Sequence, residues 1–533
     1  MIDRVSAVRS TAGSFSRIAA GIAASLLMVA ALPSVLVSQS TACSNLVRLV
    51  FADATLETVV DAAAGPFIVP GSRPGASPLA LPAFCRVVGV ATPTADSTIN
   101  FEVWMPPAVA WNGKYQTVGN TGFLGGIEYG DMAAALKRGY AVAGTDAGHA
   151  GGELQFADGH PEKIIDWSYR AIHATTDVAK LVVRSYEGRL PGYAYFTGCN
   201  TGGHQALSEA QRFPDDFDGI VAGAPANDRI NEIAAYLYVW QATHKNGVNI
   251  LPAAKLHFVG QAVLNACDRL DGVKDSVLEN PLQCRFDPAT LACTGSDGTV
   301  GAACLTADEL TAVNKMYLGP HNPRTGQRIF PGWPLGSESA GATANQGPGW
   351  RQIIDLPEPR RVEFWNYFVF NNPKWDWRTF DFDRDLAYAD AKVGYVSAID
   401  ANLHAFKRSG GKLVLYAGWV DPILPGGDPV HYYEEMTQAM GGHDQTASFA
   451  RLFMMPGVGH CAGGPGPDAI DPLAALESWV EKGVAPDQLI ATKVEGGKVV
   501  RERPLCPYPQ VATWSGTGST DVAASFTCAL PRP

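Results

Sequence analysis

The run Tyr195-Phe-Thr-Gly-Cys-Asn200-Thr-Gly-Gly-His-Gln205 is an apolar strand-like stretch, a glycine-flanked turn and a helix expected to start near Gly202. This is the pattern of a nucleophile elbow, which thrusts one side chain out at the top of a sheet while backbone N–H groups face a reacting carbonyl. Ser or Cys usually stands at the tip, because a hydroxyl or thiol attacks once a base takes its proton. Here the tip is Asn200, and a carboxamide does not attack under ordinary conditions. Two later residues have the types and order that acyl transfer needs. Asp421 follows the strand-like Lys412-Leu-Val-Leu-Tyr416, and His460 follows Arg451-Leu-Phe-Met-Met455. His460 is suited to take a nucleophile's proton through one ring nitrogen, with Asp421 holding the N–H of the other. Alone, Asp421 reads as a turn residue before Pro422 and His460 as a loop histidine; their order after the elbow joins them. His149, in Asp146-Ala-Gly-His149, reads equally well as a loop brace, so it and His204 stay outside the catalytic set.

These side chains need elements that bring them to one edge. Ile99–Met105 alternates like a strand and ends at Pro106-Pro107. Lys114–Val118 is a second strand, opening into Gly119-Asn-Thr-Gly-Phe-Leu-Gly-Gly126. Tyr140–Thr145 is a third, Arg170–Tyr186 has helical spacing, and Phe217–Gly223 is a buried strand beyond the elbow helix. Strands alternating with helices predict an α/β fold with a mostly parallel, doubly wound sheet, whose active edge lies at the carboxyl ends of the strands. The rhythm fails between 227 and 406, a stretch rich in Pro, Gly, Trp and Asn. It is too long for a loop and is expected to be an inserted lid domain. The expected organisation is a leader at 1–42, a first core part at 43–226, the lid at 227–406 and a second core part at 407–533.

The 533 residues carry a net charge of −11, with 46% hydrophobic and 17% charged residues. That is globular composition, and the negative balance argues against a nucleic-acid binder. Arg4, Arg9 and Arg17 precede an apolar run from Ile18 to about Val37 and the small residues Ser38-Gln-Ser-Thr-Ala42, the pattern of a cleaved export signal. The expected location is secreted or periplasmic, with no membrane attachment after cleavage. Ten cysteines in an exported chain suggest disulfides, and no CxxC pair points to zinc.

Gly198-Cys199-Asn200-Thr-Gly-Gly203, Asp421 and His460-Cys461 resemble the tannase and feruloyl esterase family of α/β-hydrolases, which includes mono(hydroxyethyl) terephthalate hydrolase-like enzymes. The likeness extends through Pro161-Glu-Lys-Ile-Ile-Asp-Trp, Glu209–Gly219 and Arg503-Pro-Leu-Cys-Pro-Tyr508. It implies an α/β-hydrolase fold, a small aromatic ester as substrate and the disulfides Cys199–Cys461, Cys43–Cys85, Cys267–Cys284, Cys293–Cys304 and Cys506–Cys528. It also implies an oxyanion hole from the Thr201 N–H and the loop near Gly122, although Gly119-Asn-Thr121-Gly122 departs from the family's Gly-Asn-Gly-Gly. Finally it implies a structural Ca2+ in the lid, held by Asp268, Asp271, Asp275 and the carbonyls of Val273 and Val277. Clustered carboxylates suit that hard cation. The lid aromatics Phe364–Phe370 and Trp375-Asp-Trp377 pack a lid core or stack on an aromatic acyl group.

Asn200 leaves three accounts open. It is a substitution in an otherwise active serine esterase; or the protein has lost hydrolysis and binds phenolic ligands or runs another reaction, such as a lyase step with His460 as base; or Thr201 attacks instead. The last is weakest, because adjacent elbow positions point differently.

Overall fold

Three antiparallel strands open the main sheet of the computed structural model, which describes residues 41–294, 304–339 and 349–531. Most of the expected leader therefore lies outside the described residues. The sheet contains β1 (Ala54–Ala62), β2 (Phe84–Ala91), β3 (Ile99–Met105), β4 (Lys114–Val118), β5 (Ala141–Thr145), β6 (Tyr193–Cys199), β7 (Gly219–Gly223), β8 (Lys412–Gly418) and β9 (Ala450–Met455). Their spatial order is β1-β2-β3-β5-β4-β6-β7-β8-β9. Pairs β1-β2, β2-β3 and β3-β5 are antiparallel. The five pairs from β5 to β9 are parallel. This is the mostly parallel sheet expected of an α/β-hydrolase, with an antiparallel wing that the sequence did not reveal.

Both faces of the parallel part are covered, and alternate residues of one strand feed two different cores. Ile220, Leu413 and Leu415 join a core with α2 (Ala171–Glu187) and α3 (Thr201–Arg212). Val221 and Val414 join another with Met132 and Leu136 of α1 (Tyr129–Lys137) and with Leu473, Leu476 and Trp479. Side chains that point alternately to either face are why these strands read as continuous apolar runs.

Neighbouring β7 and β8 pair directly, Val221 against Val414, yet the whole irregular stretch lies between them in sequence. Its described residues contain four long helices: α4 (Arg229–Thr243), α5 (Ala253–Cys267), α6 (Ala307–Leu318) and α7 (Arg384–Val393). Periodicity hid α4 because its buried residues, from Ile230, Ile233 and Ala234 to Leu237, Val239 and Trp240, run round the whole helix. A helix buried on all sides has no amphipathic stripe to read. The described residues, 41–294, 304–339 and 349–531, fall in one compact unit.

All five disulfides have the partners the resemblance implied. Among the described residues, no helix is long and apolar enough to cross a membrane.

Candidate active site

β6 delivers the chain to Asn200, which has φ 64° and ψ −115°, and α3 starts at the next residue. An L-residue at that positive φ is strained and persists only where its surroundings hold it. Here the Asn200 N–H donates to the Gly223 carbonyl at 3.0 Å, and the His204 N–H to the Asn200 carbonyl at 3.0 Å. The flanking glycines allow the turn. A Cβ at Gly198 would lie 2.6 Å from the Gly202 Cα, and one at Gly203 2.2 Å from the Gly223 oxygen. Strand and helix can approach this closely only without those side chains.

The loops after β8 and β9 are stitched together by Trp419 N–H to Met455 O at 3.0 Å and Val420 N–H to Val458 O at 3.1 Å. They carry Asp421 and His460. Asp421 is fully buried; one oxygen accepts the N–H groups of Ile423 (2.7 Å) and Leu424 (3.0 Å). Its other oxygen accepts the His460 Nδ1–H at 2.7 Å. With Nδ1 protonated, Nε2 is left as an acceptor, and the Asn200 Nδ2 amide donates to it. Burial alone would pull the His460 pKa down, but the Asp421 charge and hydrogen bond outweigh it and hold the imidazole above its ordinary value. The Cys199–Cys461 disulfide joins residues 262 apart and lies beside both Asn200 and His460. Three remote segments are thereby fixed as one constellation: an imidazole, the carboxylate that orients it and, where they point, the elbow tip.

The family model for tannase and feruloyl esterase matches residues 85–529. The chain belongs to this family. An uncharacterized esterase of Xanthomonas campestris pv. campestris is 39% identical, with 92% of each chain covered. The mono(2-hydroxyethyl) terephthalate hydrolase of Piscinibacter sakaiensis is 32% identical over 89% of each. The crystal structure of feruloyl esterase B from Aspergillus oryzae superposes with a TM-score of 0.83 at 30% identity, covering 90% of this chain and 98% of that one. By family and fold, this protein is a carboxylic ester hydrolase of the tannase and feruloyl esterase type.

Within this esterase framework the loop from Gly119 to Gly122 is clamped to the elbow helix. Gln205 accepts the Asn120 N–H and donates to the Asn120 Oδ1, both at 2.9 Å. The Thr201 hydroxyl donates to the Gly122 carbonyl and also lies 3.1 Å from the Asn200 Oδ1, sharing its single proton between them. Arg229 Nη2 donates to that hydroxyl oxygen at 3.1 Å. Arg229 is itself buried, ion-paired to Glu232 at 3.1 Å, with its guanidinium 5.2 Å from the Phe123 ring centre. Sequence reading missed this arginine, which α4 carries in from a segment that showed no pattern. It also missed Arg361, whose guanidinium lies 5.1 Å from the Phe123 ring centre and close to Gly122. Arg361 forms no ion pair among the described residues, and burial together with Arg360 and Arg229 lowers its pKa. A half-buried cation without an ion-pair partner among the described residues thus stands beside the loop expected to complete an oxyanion hole.

The two histidines left outside the catalytic set are built into walls. The His149 Nε2 meets the Phe123 carbonyl at 2.9 Å, and its ring stacks on Phe156 at 3.8 Å. His204 is buried behind the elbow, and its pKa is pushed down to about 3 by burial and by Arg229. Of the lid aromatics, Phe364, Trp365, Phe368 and Trp377 are buried among one another and their neighbours.

At the expected calcium loop, Asp268 accepts the N–H of Ser276 at 3.0 Å, and Asp271 that of Val273 at 2.8 Å. Asp275 faces Arg503 at 2.6 Å. Burial and the Asp275 charge push Asp271 up to about 6, and burial raises Asp275. The donor chemistry fits a hard cation, which would relieve these buried carboxylates. Among the described residues, however, the His, Cys, Asp and Glu side chains whose ligand atoms converge within 4.8 Å are His173, Glu209 and Asp216, not this loop.

Proposed function

We propose that this chain is an exported hydrolase scaffold for esters of aromatic acids, with residue 200 as the point of covalent attack and Asn200 as the group that now blocks it. His460 is the base and Asp421 its orienting carboxylate. The Thr201 N–H and the loop at Gly122 form the oxyanion hole. The observation that carries this reading is the His460–Asp421 pair, whose acceptor nitrogen faces residue 200 across the Cys199–Cys461 bridge. Arg361, beside the loop at Gly122 and the Phe123 ring, favours acids with a second negative group, such as a terephthalate-like carboxylate. Asp268, Asp271 and Asp275, with the carbonyls of Val273 and Val277, would hold Ca2+ to stiffen the inserted lid, and the ion has no part in the reaction.

The test compares the Asn200 chain with Asn200→Ser on p-nitrophenyl and hydroxycinnamate esters. Loss of a serine nucleophile costs on the order of 10⁶ in kcat, and a gain approaching that size is expected when serine is supplied. Equal turnover by the two forms would refute the role of position 200. A second reading, a non-hydrolytic binder of small phenolic ligands, is favoured by the amide contact to His460, which satisfies the base without a nucleophile. It predicts saturable binding and no gain in turnover with serine.

A further inference from the structure

The carboxamide that blocks this site is also placed as a substrate for it. Asn200 is held in a strained conformation at the elbow tip, with its Nδ2 on the His460 Nε2 and its Oδ1 3.1 Å from the Thr201 hydroxyl. Those two contacts are the ones an amide needs to be hydrolysed: a proton carrier at the leaving nitrogen and a donor at the oxygen that becomes negative. Asp421 holds the carrier in orientation from behind at 2.7 Å.

We propose that Asn200 is a self-modification site, its side-chain amide being hydrolysed by His460 and Asp421 to leave an aspartate at position 200. Water is the co-reactant. Its oxygen bonds to the Asn200 Cγ while its proton passes to the His460 Nε2, and the C=O electron pair moves onto Oδ1. The Thr201 hydroxyl, which otherwise donates to the Gly122 carbonyl, turns its proton to that oxygen. The carbonyl then re-forms and the C–Nδ2 bond breaks. The imidazolium returns its proton to the departing nitrogen, which already sits against Nε2. Ammonia leaves and takes up the acid proton, so amide and water become carboxylate and ammonium. The same histidine serves as base and then acid, as in ester cleavage.

This is independent of which ester the family scaffold binds. Asn200→Ser has no amide to lose, so its turnover on esters and the fate of Asn200 can each succeed or fail alone.

The experiment follows the residue-200 peptide by mass spectrometry while the purified, disulfide-intact protein is incubated in water labelled with heavy oxygen. The expected result is α-linked aspartate at position 200 carrying one heavy oxygen. His460→Ala should slow its formation about 100-fold or more, the usual worth of a general base. Thr201→Val should slow it less, and His173→Ala, remote from the site, not at all. Thr201→Val keeps the proposal testable if His460→Ala misfolds. A persistent amide would overturn the proposal. So would equal rates in the natural chain and His460→Ala, or a predominance of β-linked isoaspartate, which marks attack by the Thr201 backbone nitrogen instead of water.

Discussion

Among the described residues three histidine–aspartate pairs share one geometry, and leaving aside the exposed His160–Asp96 the other two have different prospects. His460–Asp421 and His173–Asp216 both join Nδ1 to a carboxylate oxygen at 2.7 Å. In both, burial pulls the histidine down and the aspartate more than restores it, leaving the imidazole above its ordinary value. The difference is what the other ring nitrogen faces. At His460 it faces the tip of the elbow, and Asp421 is fixed by two backbone N–H groups. At His173, on α2, the ring is stacked on Phe213 at 3.7 Å and Nε2 looks to Asp177 at 3.5 Å. A short His–Asp contact therefore identifies nothing by itself. The elbow tip opposite the second ring nitrogen is what sets the proposed base apart from a strut.

The largest expected effect breaks this comparison directly. In an Asn200→Ser background, His460→Ala should lower kcat on a p-nitrophenyl ester by on the order of 10⁶. His173→Ala in the same background should leave kcat unchanged. Equal losses would mean that both residues act through folding. Asp421→Asn should follow, with a loss of about 10⁴ as the imidazole loses its tautomer and its counter-charge.

The pH profile sharpens the same contrast. His460 acts as a base only when neutral, and its folded pKa is raised. Turnover of Asn200→Ser should therefore fall on the acid side at a pH above the ordinary histidine value, whereas Asp421→Asn leaves burial unopposed and should move that limb downward. The linkage has the opposite sense for stability. A histidine with a raised folded pKa contributes stability that is fully present below its unfolded pKa and is lost as pH rises through the folded one. Stability and turnover should thus run in opposite directions across the titration of His460. A ring titration followed by NMR, with the acid limb measured beside it, checks both.

Smaller again is the effect of the bridge. Replacing Cys199 and Cys461 together by Ala removes a cross-link over 262 residues and should cost about 4 kcal/mol in unfolding. A loss confined to turnover, with denaturant midpoints unchanged, would show that the bridge only aims His460 at residue 200.

The pieces of the site legible in the sequence were those with strong local signatures. Glycines at 198, 202 and 203 predicted the elbow because no other residue fits between strand and helix. Asp421 and His460 followed apolar runs that the structure makes parallel neighbours. β1 was hidden because it is an edge strand with mostly exposed or half-exposed residues, so no alternation marks it. Arg229 and Arg361 were hidden for another reason: they reach the site from the inserted stretch, and only tertiary packing brings them to Phe123. The loop expected to hold calcium shows the limit of composition. Its three aspartates were visible as a cluster, but Asp275 is turned toward Arg503, a partner 228 positions away.

The smallest expected effect on turnover concerns the strut. No donor among the described residues reaches either oxygen of the buried Glu209. Burial first, and the Asp216 charge second, raise its pKa well above the ordinary value. An acid whose folded pKa is raised binds more protons folded than unfolded, so its contribution to stability worsens as pH rises above its unfolded pKa. Glu209→Gln keeps a neutral donor of similar shape and removes that dependence. It should match the natural chain in acid, become the more stable of the two toward neutral pH, and leave Asn200→Ser turnover untouched. Lower stability of the variant at every pH would mean that the Glu209 carboxyl is not held above its ordinary value in the folded protein.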